Sequence, residues 1–474
     1  MEASAQQTHK ALKEAFVSDL SGGDIWEINQ VTFTAVSAYA LWAALDSRKG
    51  VFKNYGVSEF FLEFGINCLG LLLAITLYAD NPIALNLALL IPAAILLLTT
   101  PDESPRKSKS AKPAATKTQS AENAKRKPFL TAYRGGMMLI TTLAILAVDF
   151  PLFPRRFAKV ETWGTSLMDM GVGSFVFSSG LVSSLPSGSL SVRLRKALRV
   201  AGPMLILGGI RCAVTKAIGY QEHVTEYGVH WNFFMTLGFL PPFLAILAPP
   251  ISVLTPTVSA ILIGVVYEYA LDKMKLSAWV LTAPRVDVLS QNKEGICSFI
   301  GYFAIFLAGL GTGNQIRPRS TATPVQSSRA KLLRTLAFSC VAWSAATYFA
   351  IAPRSLYGLD LQVSRRMANL PYILWVLAYN TFFLLFYLGV ECLFFTSTPS
   401  TASRSYAVPR VLHAINLNGL AIFLLANLLT GLVNMSFNTL EMGRVQSFGV
   451  LAGYCGVLAT IAILLDARGI RIKL

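Results

Sequence analysis

The chain has 474 residues, 54% of them hydrophobic and only 14% charged, with a formal net charge of +16. Its mean hydropathy is +0.53, and ordinary soluble domains, about a quarter charged, do not have this composition. Apolar windows long enough to cross a hydrocarbon core of about 30 Å recur along almost the whole length, so the sequence predicts an all-α polytopic membrane protein.

The N-terminus is amphipathic and polar up to Trp26, and no cleavable signal peptide is expected before the first span. About thirteen spans are predicted, centred near Val36, Leu69, Leu90, Ile140, Gly173, Leu207, Leu237, Ile263, Tyr302, Trp343, Leu377, Phe423 and Val457. The weakest surrounds Gly173, where "TSLMDMGVGSFVFSSGLV" carries Asp169 and many small residues. Residues 1–474 read as a single multi-span domain. They are interrupted by a basic loop over 101–127, rich in Lys, Ser and Ala and expected to be disordered, and a polar loop over 317–331. Both loops are expected to be cytosolic, where they set topology or touch anionic lipid head groups.

The positive charge is unevenly distributed. About 25 Lys and Arg fall on the odd-numbered connections and the C-tail, against about 13 on the other side. The positive-inside rule then places the C-terminus in the cytosol and the N-terminus and even connections in the lumen. A topology signal of this kind accounts for the charge without nucleic acid. The six cysteines are scattered singly with no metal-ligand or redox spacing, so neither a disulfide framework nor a zinc site is expected.

Polar residues concentrate on one predicted face. The fourth connection, "VDFPLFPRRFAKVETWG", brings Asp149, Arg155, Arg156 and Lys159 together. Pro151 and Pro154 break the incoming helix, and Phe150, Phe153 and Phe157 form an aromatic stripe expected to lie against lipid. The sixth, "YQEHVTEYGVHWNFF", holds Glu222, His223, Glu226, His230, Trp231 and Asn232. Glu222 and Glu226 are spaced to share a helix face, but the HExxH pattern is absent and Gly228 interrupts the helix, so no metal is expected. The tenth contributes Arg365 and Arg366 in "VSRRMANLPYILW". The twelfth span carries an unusual number of amides, among them Asn427 and Asn434. Asn434 opens an Asn-Met-Ser acceptor triplet but lies too near a span for glycosylation to be expected. Singly, these residues suit snorkelling, interfacial or helix-bridging roles. Gathered at one face, ionisable groups at membrane depth point to a functional site suited to an anionic lipid head group.

These same segments, with "FVSDLSGGDIWEIN" near the start and "RIKL" at the end, resemble the inositol acyltransferases of glycosylphosphatidylinositol (GPI) anchor synthesis. That is the family of the fungal GPI-anchored wall transfer protein and the mammalian phosphatidylinositol-glycan class W protein. The resemblance spans essentially the whole chain. It implies a multi-pass enzyme of the endoplasmic reticulum that moves a fatty acyl group, usually palmitoyl, from acyl-CoA to the inositol of glucosaminyl-phosphatidylinositol. It further implies a lumenal site and a target of antifungal compounds. No bound cofactor and no obligate protein partner are expected; acyl-CoA is a co-substrate, and the partners are the two substrates and membrane lipids. Acyl-CoA is made in the cytosol, so the donor either threads the spans or meets a site deeper than the loops suggest.

Ester formation from a thioester needs a base, a cationic or hydrogen-bonding oxyanion partner and an entry for the acyl chain. No G-x-S-x-G elbow is present, so direct transfer is preferred to an acyl-serine. The motif match puts Asp149 forward as the base, with Lys159 as its charge partner or as donor to the oxyanion; His223 or His230 is the competing base. Arg155, Arg156, Arg365 and Arg366 are expected to hold phosphates, and Glu222, Glu226 and Asn232, with Trp231 beside them, to bind the sugar and inositol. The rival class is a lipid transporter or scramblase, which should show inverted repeats, and none is evident.

Overall fold

Proline at or next to the first helical position opens four of the long apolar segments, where its missing N–H costs nothing and its fixed φ favours the helix. The computed structural model describes residues 16, 18–101, 127–218, 224–317, 325–395 and 407–472. Among them there is no strand, only an isolated parallel bridge between Gly22 and Thr165.

In chain order the helices are α1 Ile25–Lys49, α2 Val57–Ala74, α3 Pro82–Thr99, α4 Pro128–Ala147, α5 Leu167–Val182, α6 Leu190–Ile218 and the short α7 Val224–Tyr227. They continue with α8 Phe233–Leu254, α9 Pro256–Asp272, α10 Leu276–Thr282, α11 Val288–Gln291 and α12 Lys293–Ile316. The chain then forms α13 Val325–Ile351, α14 Leu370–Phe394, α15 Arg410–Leu417, α16 Gly419–Ser436 and α17 Arg444–Ala467. Every predicted span centre falls within a helix. Eight helices of the described residues are long and apolar enough to cross a membrane: α2, α3, α4, α8, α12, α14, α16 and α17. Of the others, α5 has 16 residues and α9 has 17, while α1, α6 and α13 are long but less apolar.

Helix α12 is the central rod, buried along almost its whole length and packed on α5, α9 and α14. Its contact with α5 is made by glycines. A Cβ at Gly309 would run into the carbonyl of Phe177, one at Gly313 into that of Leu181, and one at Gly180 into that of Phe306. Small residues that let two backbones approach this closely replace the hydrophobic drive that lipid cannot supply.

Two buried carboxylates organise one end of the bundle. Glu391 accepts from the Phe129 N–H at the start of α4 (2.9 Å) and pairs with Arg329 (2.9 Å). Glu63, ahead of a π-helical turn in α2, accepts from the Val411 N–H (2.6 Å) at the start of α15. Each places an anion at a helix N-terminus, where unpaired N–H groups need acceptors.

The expected loop over 317–331 is corrected in its second half, because α13 already begins at Val325. The basic segment 101–127 lies outside the described residues except at its two ends. The packing gives a direct test: Gly309→Val should lose about 1–3 kcal/mol through overpacking. Gly449→Ala, at a position with open space around its Cβ, should melt like the parent in detergent. Equal melting of the two variants would contradict the glycine contact.

Candidate functional site

The opposite end of the bundle gathers the fourth, sixth and tenth connections. The fourth turns sharply after α4. Its last carbonyls are collected by Arg155, whose guanidinium donates to Val148 O (2.9 Å), Phe150 O (3.0 Å) and Phe153 O (2.8 and 3.2 Å). The Phe16 ring stacks on it at 3.9 Å. Arg156 is bound by Glu27 (2.8 Å) and Asp80 (2.5 Å). Arg155 thus braces the turn itself, Arg156 ties it to carboxylates of other segments, and a phosphate would have to displace these partners. The aromatic stripe also differs from expectation. Phe150, Phe153 and Phe157 are fully buried, and the connection folds inward so that its apolar side meets protein rather than lipid.

Beyond this turn lies a chain of alternating charges drawn from four distant segments. Ser166 caps α5, accepting from the Asp169 N–H (3.1 Å) and donating its hydroxyl to Asp169 Oδ2 (2.8 Å). Asp169 Oδ1 takes the Arg365 Nε–H at 2.6 Å. Arg365 Nη1 reaches Glu226 Oε1 at 3.0 Å, and Lys159 Nζ meets both oxygens of Glu226 at 2.9 and 3.1 Å. Side-chain exposure runs from 1% at Asp169 and 4% at Arg365 through 19% at Glu226 to 43% at Lys159, so the chain starts in the interior and ends at its open end with an ammonium group. The ion pair of Lys159 is therefore with Glu226. Tyr302 donates to the Arg365 carbonyl (3.3 Å) and Tyr372 to that of Asp169 (2.8 Å), fixing the backbone that presents these charges.

Burial pushes Glu226 towards its neutral form. The cations around it, Lys159 first and then Arg365 and Arg211, outweigh that and hold its carboxyl at about 2. Arg365 likewise stays charged: burial pulls its guanidinium down, but Glu226 and Asp169 carry it well above its ordinary value.

A second cluster stands alongside. Arg285 clamps Glu294 with two bonds (2.5 and 3.0 Å), and Arg366 adds a third (3.2 Å) while also reaching Thr162 Oγ1 (3.3 Å). Both members of the Arg365–Arg366 pair thus bind carboxylates of their own chain rather than presenting bare guanidinium groups to a phosphate.

The sixth connection is held partly by residues the sequence singled out for other roles and partly by Asn292, which it did not. Gly228 adopts φ +109° and ends α7. The Asn292 side chain then accepts from the backbone N–H groups of His230 (2.8 Å) and Trp231 (2.9 Å). Asn232 caps α8, accepting from Phe234 and Met235 and donating to Gly208 O (2.8 Å). Trp231 donates to Thr236 (2.9 Å) and stacks on Phe239. These contacts give Asn232 and Trp231 architectural work. Glu222 and His223 lie outside the described residues.

Asp149 takes a partner from far along the chain: Asn434, in the last turn of α16, donates its amide to Asp149 Oδ2 at 2.7 Å. Arg155 lies close enough to be stabilised electrostatically by the Asp149 carboxylate. Among the described residues, no group of three His, Cys, Asp or Glu side chains is placed to hold a metal ion.

The model of the GWT1 family matches residues 9–465. The chain belongs to the GWT1 family. It is 48% identical to "GPI-anchored wall transfer protein 1" of Gibberella zeae, over 98% of this chain and 99% of that one. Proteins of the same name from Yarrowia lipolytica (44%) and Saccharomyces cerevisiae (42%) are matched over 98% of this chain and their whole length. The match therefore includes every connection that builds the charged end of the bundle.

Three outcomes follow from this geometry. Arg365→Met leaves the buried Asp169 without its cation and Glu226 still paired with Lys159, and should cost about 3–5 kcal/mol of stability, whereas Arg354→Met, at an exposed position, should not; equal melting temperatures would contradict the buried pairing. A depressed carboxyl stabilises the fold above its unfolded value of about 4.3, and that contribution is lost as pH falls through about 2. Glu226→Gln should therefore be less stable at neutral pH and lose less stability than the parent between pH 4 and pH 2; parallel pH profiles would contradict the ion pairs. Finally, with the Asn434 amide occupied at a helix end, N-glycosidase treatment of the expressed protein should leave the mass at this site unchanged.

Proposed function

We propose that this chain is a membrane-embedded O-acyltransferase of GPI-anchor synthesis in the endoplasmic reticulum. It moves a fatty acyl group, usually palmitoyl, from acyl-CoA to an inositol hydroxyl of glucosaminyl-phosphatidylinositol. The names of its relatives place them in the handling of GPI-anchored proteins, and near-complete coverage extends the reading to this chain. The observation that carries the chemistry is the charged end of an apolar helix bundle. There, the carboxylate of Asp149 and the ammonium of Lys159 stand on one short connection, ten residues apart in sequence, each fixed by a partner from another segment.

In this reading Asp149 is the base. A carboxylate oxygen takes the inositol hydroxyl proton as the alkoxide oxygen bonds to the thioester carbonyl carbon. Lys159 supplies positive charge to the resulting oxyanion. Collapse of the tetrahedral intermediate breaks the carbon–sulfur bond, and the thiolate of CoA leaves with the proton returned from Asp149. Glu226, ionised because three cations surround it, is unsuited to accept a proton at neutral pH; it holds Lys159 in place. His223 or His230 is the competing base. The charge asymmetry of the connections supports a lumenal site, with the C-terminus in the cytosol.

The test is the purified full-length chain in detergent, given labelled palmitoyl-CoA and glucosaminyl-phosphatidylinositol. Acyl transfer without other subunits is expected, and its absence would contradict the enzyme reading. Asp149→Asn should lower kcat at least about a hundredfold; full turnover would transfer the base role to a histidine.

A further inference from the structure

Resting on the reading of Asp149 as base, we propose that Asn434 is its positioning residue, holding the carboxylate in register with the substrate from the far side of the site. The two residues are 285 positions apart in sequence, yet the Asn434 amide donates to Asp149 Oδ2 at 2.7 Å. Asp149 is half-buried just past the end of α4, where the chain turns at Asp149–Phe150. The Asn434 donor, set at a helix end, restricts the rotation of that carboxylate.

The scaffold behind Asn434 suits the task. The Tyr454 hydroxyl of α17 donates to the Thr142 carbonyl of α4 (2.9 Å) and to the Ala426 carbonyl of α16 (3.4 Å), so one side chain ties together the two helices whose ends carry Asp149 and Asn434. Phe423 of α16 also packs on Phe175 of α5 and Phe234 of α8, which ties α16 to the helices flanking the charge chain. Elsewhere α16 exposes Leu428, Leu432 and Met435. Another amide of the same helix does nothing comparable: Asn427 donates only one turn back, to Phe423 O. Asn434 is the amide of this helix that reaches a carboxylate of the fourth connection.

A donor to an ionised carboxylate favours the ionised form, so its removal raises the pKa of the acid. Asn434→Ala should therefore lower kcat about ten- to hundredfold and move the acidic limb of the kcat profile to higher pH by about one unit, with KM for palmitoyl-CoA unchanged. Asn434→Asp, nearly isosteric, removes the donor and adds a like charge, and should move the limb in the same direction and further. Asn427→Ala, which removes an amide from the same helix, should behave as the parent. An Asn434→Ala enzyme that is slowed with its acidic limb in place, or is not slowed at all, overturns the positioning role. Asp149→Asn separates the two readings: full turnover there overturns the base assignment and the inference together. An inactive Asp149→Asn beside an unshifted Asn434→Ala overturns the inference alone.

Discussion

A guanidinium group 4% exposed, set between two carboxylates from segments far apart in the chain, is the interaction on which the charged end of this bundle depends. Removing Arg365 from water is costly, and only good geometry with both acids offsets the cost. Asp169 comes from the start of α5, Glu226 from the sixth connection and Lys159 from the fourth. Each charge in the series is tolerable because the next one is there. The three connections therefore form one electrostatic object, and the Lys159 ammonium emerges at its open end already oriented.

This arrangement divides the cationic residues into two kinds. Arg155, Arg156, Arg365 and Arg366 have donors in contact with carbonyls and carboxylates of the protein itself. Their forked geometry serves to cross-link loops, and at the buried Arg365 and Arg366 it does so away from water. Lys159 is different, a compact charge on a flexible stem, anchored on one side and open on the other. On the other flank, Asn434 joins Asp149 to α16. In the proposed reaction, scaffold and chemistry are thus carried by separate residues that lie close together in sequence, as Arg156 and Lys159, three positions apart, do.

Much of this was legible before the structure. Apolar windows located the helices, the prolines of "DFPLFP" located the turn, and alternation of charge between connections pointed to the fourth, sixth and tenth as neighbours. What composition could not supply was pairing. Asp169 and Glu294 sit at the first turns of apolar helices; the Arg365 partner of Asp169 lies 196 residues away, and Glu294 pairs with Arg366 72 residues away as well as with Arg285 nearby. Only the tertiary fold shows that they neutralise Arg365 and Arg366. The Phe150, Phe153 and Phe157 stripe was visible, but hydrophobic periodicity does not distinguish lipid from protein interior, and the inward fold of the connection decided the matter. Asn292, which holds His230 and Trp231 by their backbones, had no signal beyond being one amide in a polar stretch.

The most direct measurement is a double-variant cycle on acyl transfer with Lys159→Met and Glu226→Gln. If Glu226 acts through Lys159, the double variant is no slower than the slower single variant, because the second change removes an interaction already lost. If the two rate losses multiply, Glu226 contacts substrate on its own account, and the ion pair at the end of the charge chain is not the feature that orients the ammonium.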